Sequence, residues 1–124
     1  MASHLIDARG TVEPNVDPKG VESRLRDGVF LWLDIDKPTE ADFQLLEDVF
    51  KLHPLALKDS RTFGQRPKIE DYDEDYFIVL RTAHYHEDRE EVHFGEIHLF
   101  VGRDYVIMMV GQAPDDNYLK LTVR

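Results

Sequence analysis

Three strand-length apolar runs stand almost end to end in the second half of the chain: YFIVLRTAHY at 76–85, VHFGEIHLFV at 92–101 and YVIMMV at 105–110. HEDREE between the first two reads as a polar hairpin loop, and GRD before the third as a tight turn. Runs joined this closely form an antiparallel meander, and whatever precedes them must pack onto it. Ile97, Leu99 and Val101 fall on one face of the middle strand.

The upstream pattern supplies the packing partners. VFLWLDI at 29–35 is apolar on both faces at its centre and is read as a strand covered on two sides. DKPTEAD then starts a helix, with Thr39 as N-cap and Asp42 as a short-armed capping-box partner. Phe43, Leu46, Val49 and Phe50 recur at helical spacing, so this helix should run to about Leu52. Pro54 disfavours helix for His53 and suits the first position of a new helix, expected over 54–61. RTFGQRP is a loop, Pro67 can open a strand, and KIEDY is a short strand.

Residues 1–28 are broken up by Gly10, Pro14, Pro18, Gly20 and Gly28. Strand pieces at 5–6 and 11–13 and a helical turn at 23–26 are expected there. Residues 116–124 are read as a helix start or simply the end of the chain. The fold class is α/β (α+β), one mixed, largely antiparallel sheet with helices packed on it. The 124 residues suffice for one domain, 1–124, burying about two-thirds of its unfolded surface.

Charge and composition then narrow the function. The net charge is −10, from 25 acids against 15 bases, which argues against nucleic acid as a partner and permits attraction of cations. With no cysteine, disulfides and thiolate metal sites are excluded. The longest apolar runs fall far short of the ~20 residues of a spanning helix, and MASHLIDARG lacks a signal-peptide core, so the chain as given reads as soluble. Ser60 has no glycine elbow, no glycine-rich phosphate loop occurs, and no nucleophile–base constellation stands out, so an enzyme is not expected.

Two metal patterns merit a test. Asp71, Asp73 and Asp75 fall at alternate positions like the start of a calcium loop, but Tyr76 stands where glycine is needed and Thr82 where the bidentate glutamate belongs. A solvated turn is the better reading. In the hairpin, His84 and His93 could lie opposite each other with His86 nearby, and with Glu91 they could bind zinc, cobalt or nickel. Asp59 is the subtler case. It lies near the C-terminal end of the short helix, where the helix dipole disfavours a carboxylate, so it needs a cation: Arg61, Lys68 or a metal, an arginine or lysine being favoured. Arg61, Arg66 and Lys68 are accordingly expected in local salt bridges.

The order of these elements resembles the N-terminal cytoplasmic domain of the CorA family of divalent-cation transporters. The resemblance spans about residues 29 to 110. It is carried by the Trp32–Asp34 strand, Pro38-Thr39 at the helix start, Leu-His-Pro-Leu at 52–55, Asp59, and Gln-Arg-Pro-Lys at 65–68. It implies a mixed sheet between two layers of helices, in the cytoplasm beneath an inner or plasma membrane. It implies five identical subunits, with Mg2+ bound between neighbours at Asp59 holding a magnesium and cobalt pore closed. Lys58 departs from the family, which often has glutamate there, so a second ion position is not expected. The stalk, the two membrane helices and the Gly-Met-Asn signature are not in the sequence, so the chain is expected to be a piece of a larger transporter with half of its ion site. A zinc transporter of the same superfamily, or a stand-alone metal-binding or interaction module, are the rival readings.

Overall fold

The computed structural model describes residues 3–7, 12–13, 17–111 and 121–122. The elements in chain order are β1 (Ser3–Asp7), β2 (Val12–Glu13), α1 (Pro18–Arg26), β3 (Leu31–Asp36), α2 (Glu40–Asp48) and α3 (Pro54–Ser60). β4 (Lys68–Asp71), β5 (Asp75–His86), β6 (Glu91–Gly102), β7 (Tyr105–Gly111) and β8 (Leu121–Thr122) follow. The strands form one sheet ordered β2-β1-β3-β7-β6-β5-β4, with β8 beside the start of β6. β3 and β7 pair in parallel, and every other pairing is antiparallel. The mixed, largely antiparallel sheet with helices packed on it is the expected class.

Local signals account for the helix starts. Asp42 N–H donates to Thr39 Oγ1 at 3.3 Å while Thr39 N–H donates to Asp42 Oδ2 at 2.8 Å, so the capping box forms with an aspartate in the glutamate position. α2 stops at Asp48, short of Leu52. Lys51 adopts a left-handed conformation (φ 55°), which ends the helical path, and the Leu52 amide turns back to the Leu46 carbonyl at 3.2 Å. At α3, Pro54 occupies the first turn and His53 Nδ1 accepts from Leu55 N–H at 3.1 Å. α1 is a full helix where only a turn was expected. Asp17 caps it by accepting from Lys19 N–H, Pro18 opens it, and Arg24 and Arg26 lie at its negative end.

Strand alternation sets which face is buried. Leu5, Leu31, Leu33, Ile35, Phe77, Val79, Phe100, Ile107 and Met109 share one face and form the core with Val21 of α1, Phe43 and Leu46 of α2, and Ala56 and Leu57 of α3. Among the described residues the helices cover this face. On the other, Ile6, Trp32, Tyr76 and Leu80 are exposed, and Leu99, Val101 and Met108 are half-buried. β3 is therefore buried on one side within the described residues, not on two. Similarly, Ile97, Leu99 and Val101 do share a face of β6, but the core takes the opposite set, Glu96, His98 and Phe100. The expected strand pieces at 5–6 and 11–13 appear as β1 and β2. Most of 116–124 lies outside the described residues, and Leu121–Thr122 is a strand.

Candidate functional site

Asp59 is on the last turn of α3, half-buried, with Ala56, Leu57 and Ser60 anchoring the helix to the core. Its Oδ2 accepts from Lys68 Nζ at the start of β4. Lys68 also pairs with Glu70 Oε1, two residues along the same strand face, at 3.1 Å. The expected cation partner of Asp59 is thus the lysine. Arg61 goes elsewhere, pairing with Glu40 at 2.5 Å and lying 4.1 Å over the Phe43 ring, so it ties α3 to α2. The hydrogen bond from Arg61, then its charge, holds the Glu40 carboxyl below the ordinary range. Burial opposes the Lys68 ammonium, but its interactions with the Asp59 and Glu70 carboxylates outweigh it and raise its pKa.

The two carboxylates that meet at Lys68 have the chemistry of a hard-cation site. Both oxygens facing Nζ are anionic, and Glu70 Oε1 is buried without an aligned hydrogen bond despite its nearness to the ammonium. Magnesium keeps several waters and needs only one or two carboxylates, so Asp59 and Glu70 fit it. Burial, and then the charges of Glu70 and Asp59, raise the Tyr72 hydroxyl pKa beside them, which registers the negative field of the pair. Leu55, Lys58, Asp59, Thr62 and Tyr72 line a shallow surface depression of about 320 Å³, so Asp59 is reachable from solvent. No cluster of three or more histidine or acidic side chains gathers as metal ligands among the described residues.

A buried polar network fixes the loop that follows Asp59. Glu96 Oε1 accepts from the amides of Gly64 at 2.8 Å and Gln65 at 3.0 Å. Arg81 donates twice to the Gln65 carbonyl, at 3.0 and 2.6 Å, and lies 3.5 Å from Glu96. His98 is fully buried between Glu96 Oε2 at 2.6 Å and the Ser60 carbonyl at 3.0 Å. A carbonyl can only accept, so Nδ1 carries the proton donated to Ser60. Phe63 stacks on the imidazole with centroids 4.0 Å apart. Gly64 turns the chain at φ 98°, and Gly111 must lack a side chain because a Cβ there would meet the Phe63 ring at 2.5 Å. Gln65 Nε2 closes the loop on the carbonyls of Asp59 at 2.8 Å and Thr62 at 2.7 Å. The only sequence signal was an acid and a histidine at alternate positions of an otherwise apolar strand.

The acidic run resolves as a turn. Asp71 Oδ1 accepts from Asp73 N–H at 2.8 Å, and Asp73 has φ 68°. Asp75 turns into the core, where Tyr105 O–H donates to its Oδ2 at 3.0 Å and its Oδ1 is buried without a partner. Burial raises the Asp75 pKa from its ordinary 3.8, against the lowering effect of the Tyr105 hydrogen bond. The folded chain therefore holds this proton more firmly than the unfolded one. Stability should fall as pH rises from near 3.8 through the raised value, and the cost is fully present above it. Asp75→Asn should flatten that part of the profile in urea unfolding series between pH 3.5 and pH 7; an unchanged slope would assign it to other groups. In the hairpin, the backbone register sets His84 opposite His93 and His86 opposite Glu91; their side chains lie outside the described set.

A sequence model of the family described as CorA-like Mg2+ transporter protein matches residues 27–118. The chain is 31% identical over 85 residues to the cobalt/magnesium transport protein CorA of Thermotoga maritima, covering 68% of this chain and 24% of that protein. It thus spans about a quarter of the length of that relative. The soluble domain of CorA from Methanocaldococcus jannaschii superposes with a TM-score of 0.63 at 15% identity, over 87% of this chain and 40% of that one. The full-length CmaX protein gives a TM-score of 0.62 at 17% identity, over 93% of this chain and 36% of that one. These two likenesses extend to the fold.

Proposed function

The chain belongs to the CorA-like Mg2+ transporter protein family, and from that premise we propose that it is the cytoplasmic regulatory domain of a magnesium and cobalt transporter. In this reading residues 1–124 are one non-enzymatic domain of a membrane protein built from identical subunits, five by family resemblance. Mg2+ binds at Asp59 between neighbouring subunits and favours the closed pore. The observation that carries it is the placement of Asp59 on the core-anchored end of α3, at a solvent-reachable depression, converging with Glu70 on the Lys68 ammonium.

The physics of such a switch is direct. An acid of one subunit facing an acid of the next repels it when no ion is present and is drawn to it through a hydrated Mg2+. The ion therefore has different free energies in the two subunit arrangements, which is what a population shift requires. The network of Glu96, His98 and Arg81 holds the Asp59 loop stiffly, so a small displacement at the ion is passed to the sheet. Among the described residues no helix is long and apolar enough to cross a membrane, so in this reading the pore is formed by other segments.

Flux through the transporter in vesicles, measured against internal MgCl2, tests the reading. Asp59→Asn should shift the inhibitory Mg2+ concentration upward about tenfold or more, since one carboxylate of a small ligand set is lost. Unchanged inhibition would remove Asp59 from the switch. A zinc-transporting relative is the second reading, favoured by the cross-strand register of His84 with His93 and His86 with Glu91. Comparing zinc with magnesium flux separates the two.

A further inference from the structure

We propose that Lys68 is a tethered cation that a divalent ion must displace to reach Asp59. The inference rests on the regulatory reading of Asp59 and adds what sets its ion affinity. The Lys68 ammonium lies between Asp59 Oδ2 and Glu70 Oε1, where a metal using both carboxylates would sit. Its side chain comes from strand β4, which is paired with β5 from Lys68↔Val79 onward, so the stem is anchored. Nζ lies 5.6 Å from the centroid of the buried Phe77 ring, whose π face also favours a cation. All three charged side chains are about one-third exposed, at 32%, 34% and 39% for Lys68, Asp59 and Glu70, so an ion from solvent can approach the pair, while Glu70 Oε1 itself is buried.

Two consequences follow from charge alone. First, the site without an ion is not a bare pair of anions, because the ammonium already offsets one charge. A divalent ion binds only in the fraction of molecules where Lys68 has swung away, and the apparent affinity is lowered by that fraction. For an ammonium shared between two partly exposed carboxylates this corresponds to roughly three- to tenfold. Second, Na+ and K+ carry the same charge as the ammonium and would also have to be drawn from bulk solution, whereas the ammonium is covalently held at the site. Mg2+ and Co2+ gain twice the Coulomb attraction in the same place. Lys68 therefore acts as a charge filter, rejecting monovalent ions and setting the divalent threshold.

The test uses the 124-residue chain and CoCl2, whose paramagnetism broadens nearby amide signals even at weak occupancy, with MgCl2 as diamagnetic competitor. Broadening around residues 58–60 and 70 should reach its midpoint at roughly three- to tenfold lower Co2+ in Lys68→Met than in the parent chain. Lys68→Arg, which keeps the charge, should stay near the parent midpoint. Asp59→Asn should abolish the broadening in either background. In the unsubstituted chain, MgCl2 should speed hydrogen exchange of the Lys68 ammonium, a readout that stands even where Lys68→Met folds poorly. Asp59-dependent broadening with the same midpoint in Lys68→Met, or ammonium exchange indifferent to MgCl2, would overturn the displacement and leave the Asp59 reading intact. Broadening that never depends on Asp59 would overturn both.

Discussion

Glu96→Leu should lower the unfolding free energy by about 3–5 kcal/mol, the range for removing one partner of a buried charged network. Glu96 is 3% exposed and serves two backbone amides, the imidazole of His98 and the Arg81 guanidinium. Leucine fills much of the same space, so the loss comes from the Gly64 and Gln65 amides and the His98 ring left without their partner, and from the Arg81 charge left without its counter-ion. Glu96→Gln is the informative companion. Its Oε1 can still accept from Gly64 and Gln65, and its amide can donate to His98 Nε2, so a loss of about 1–2 kcal/mol is expected. Urea unfolding of the three proteins, with equal m-values as the check on two-state behaviour, orders them. Equal losses for leucine and glutamine would mean that hydrogen bonding at Glu96 is not what holds the loop. The loop carries Asp59 at its start and Lys68 at its end, so weakening it should also blunt any ion response.

Much of the architecture could be read from local signals because those signals act over a few residues. Thr39 and Asp42 are three apart, Pro54 acts on His53, and the runs from 76 to 110 are separated by turns too short for anything but a meander. α1 escaped because its apolar stripe is thin, Val21 being its one fully buried residue, even though Asp17-Pro18 is a fair start signal. The buried faces of β3 and β6 were not legible for a different reason. Apolar residues occupy both faces of each, and which face meets the helices depends on α2 and α3 packing from a distance. That Asp59 needs a cation follows from the helix dipole, which is local, whereas the choice of Lys68 over Arg61 depends on the packing of α3 against β4. The Glu96–His98 network was not legible, since it forms only when residues 60–65 fold across a strand more than thirty positions later. Polar side chains on an apolar strand gave the hint, and only tertiary structure supplies their partners.

Phe77→Ala should be nearly as damaging, at about 3–5 kcal/mol, and it links the core to the candidate ion site. Phe77 is fully buried, tilted against Phe100 at 5.1 Å and edge-on to His98 at 5.5 Å. Alanine leaves a cavity that three strands frame and that backbone pairing prevents from closing. Phe77→Leu retains more of the volume and should cost less, but it removes the aromatic face beneath the Lys68 ammonium. A cation–π contact at a partly exposed position is worth about 0.5–1 kcal/mol, so Phe77→Leu should shift the Co2+ midpoint downward roughly two- to fivefold. The direction matches Lys68→Met, with a smaller size, because the ammonium is loosened and not deleted. In the double variant Phe77→Leu, Lys68→Met the leucine should add almost nothing, since no cation remains for the ring to hold. Full additivity in that cycle would show that Phe77 acts on Asp59 through the fold alone. Its absence would make the buried ring and the surface carboxylate two ends of one device, with Lys68 as the part that moves.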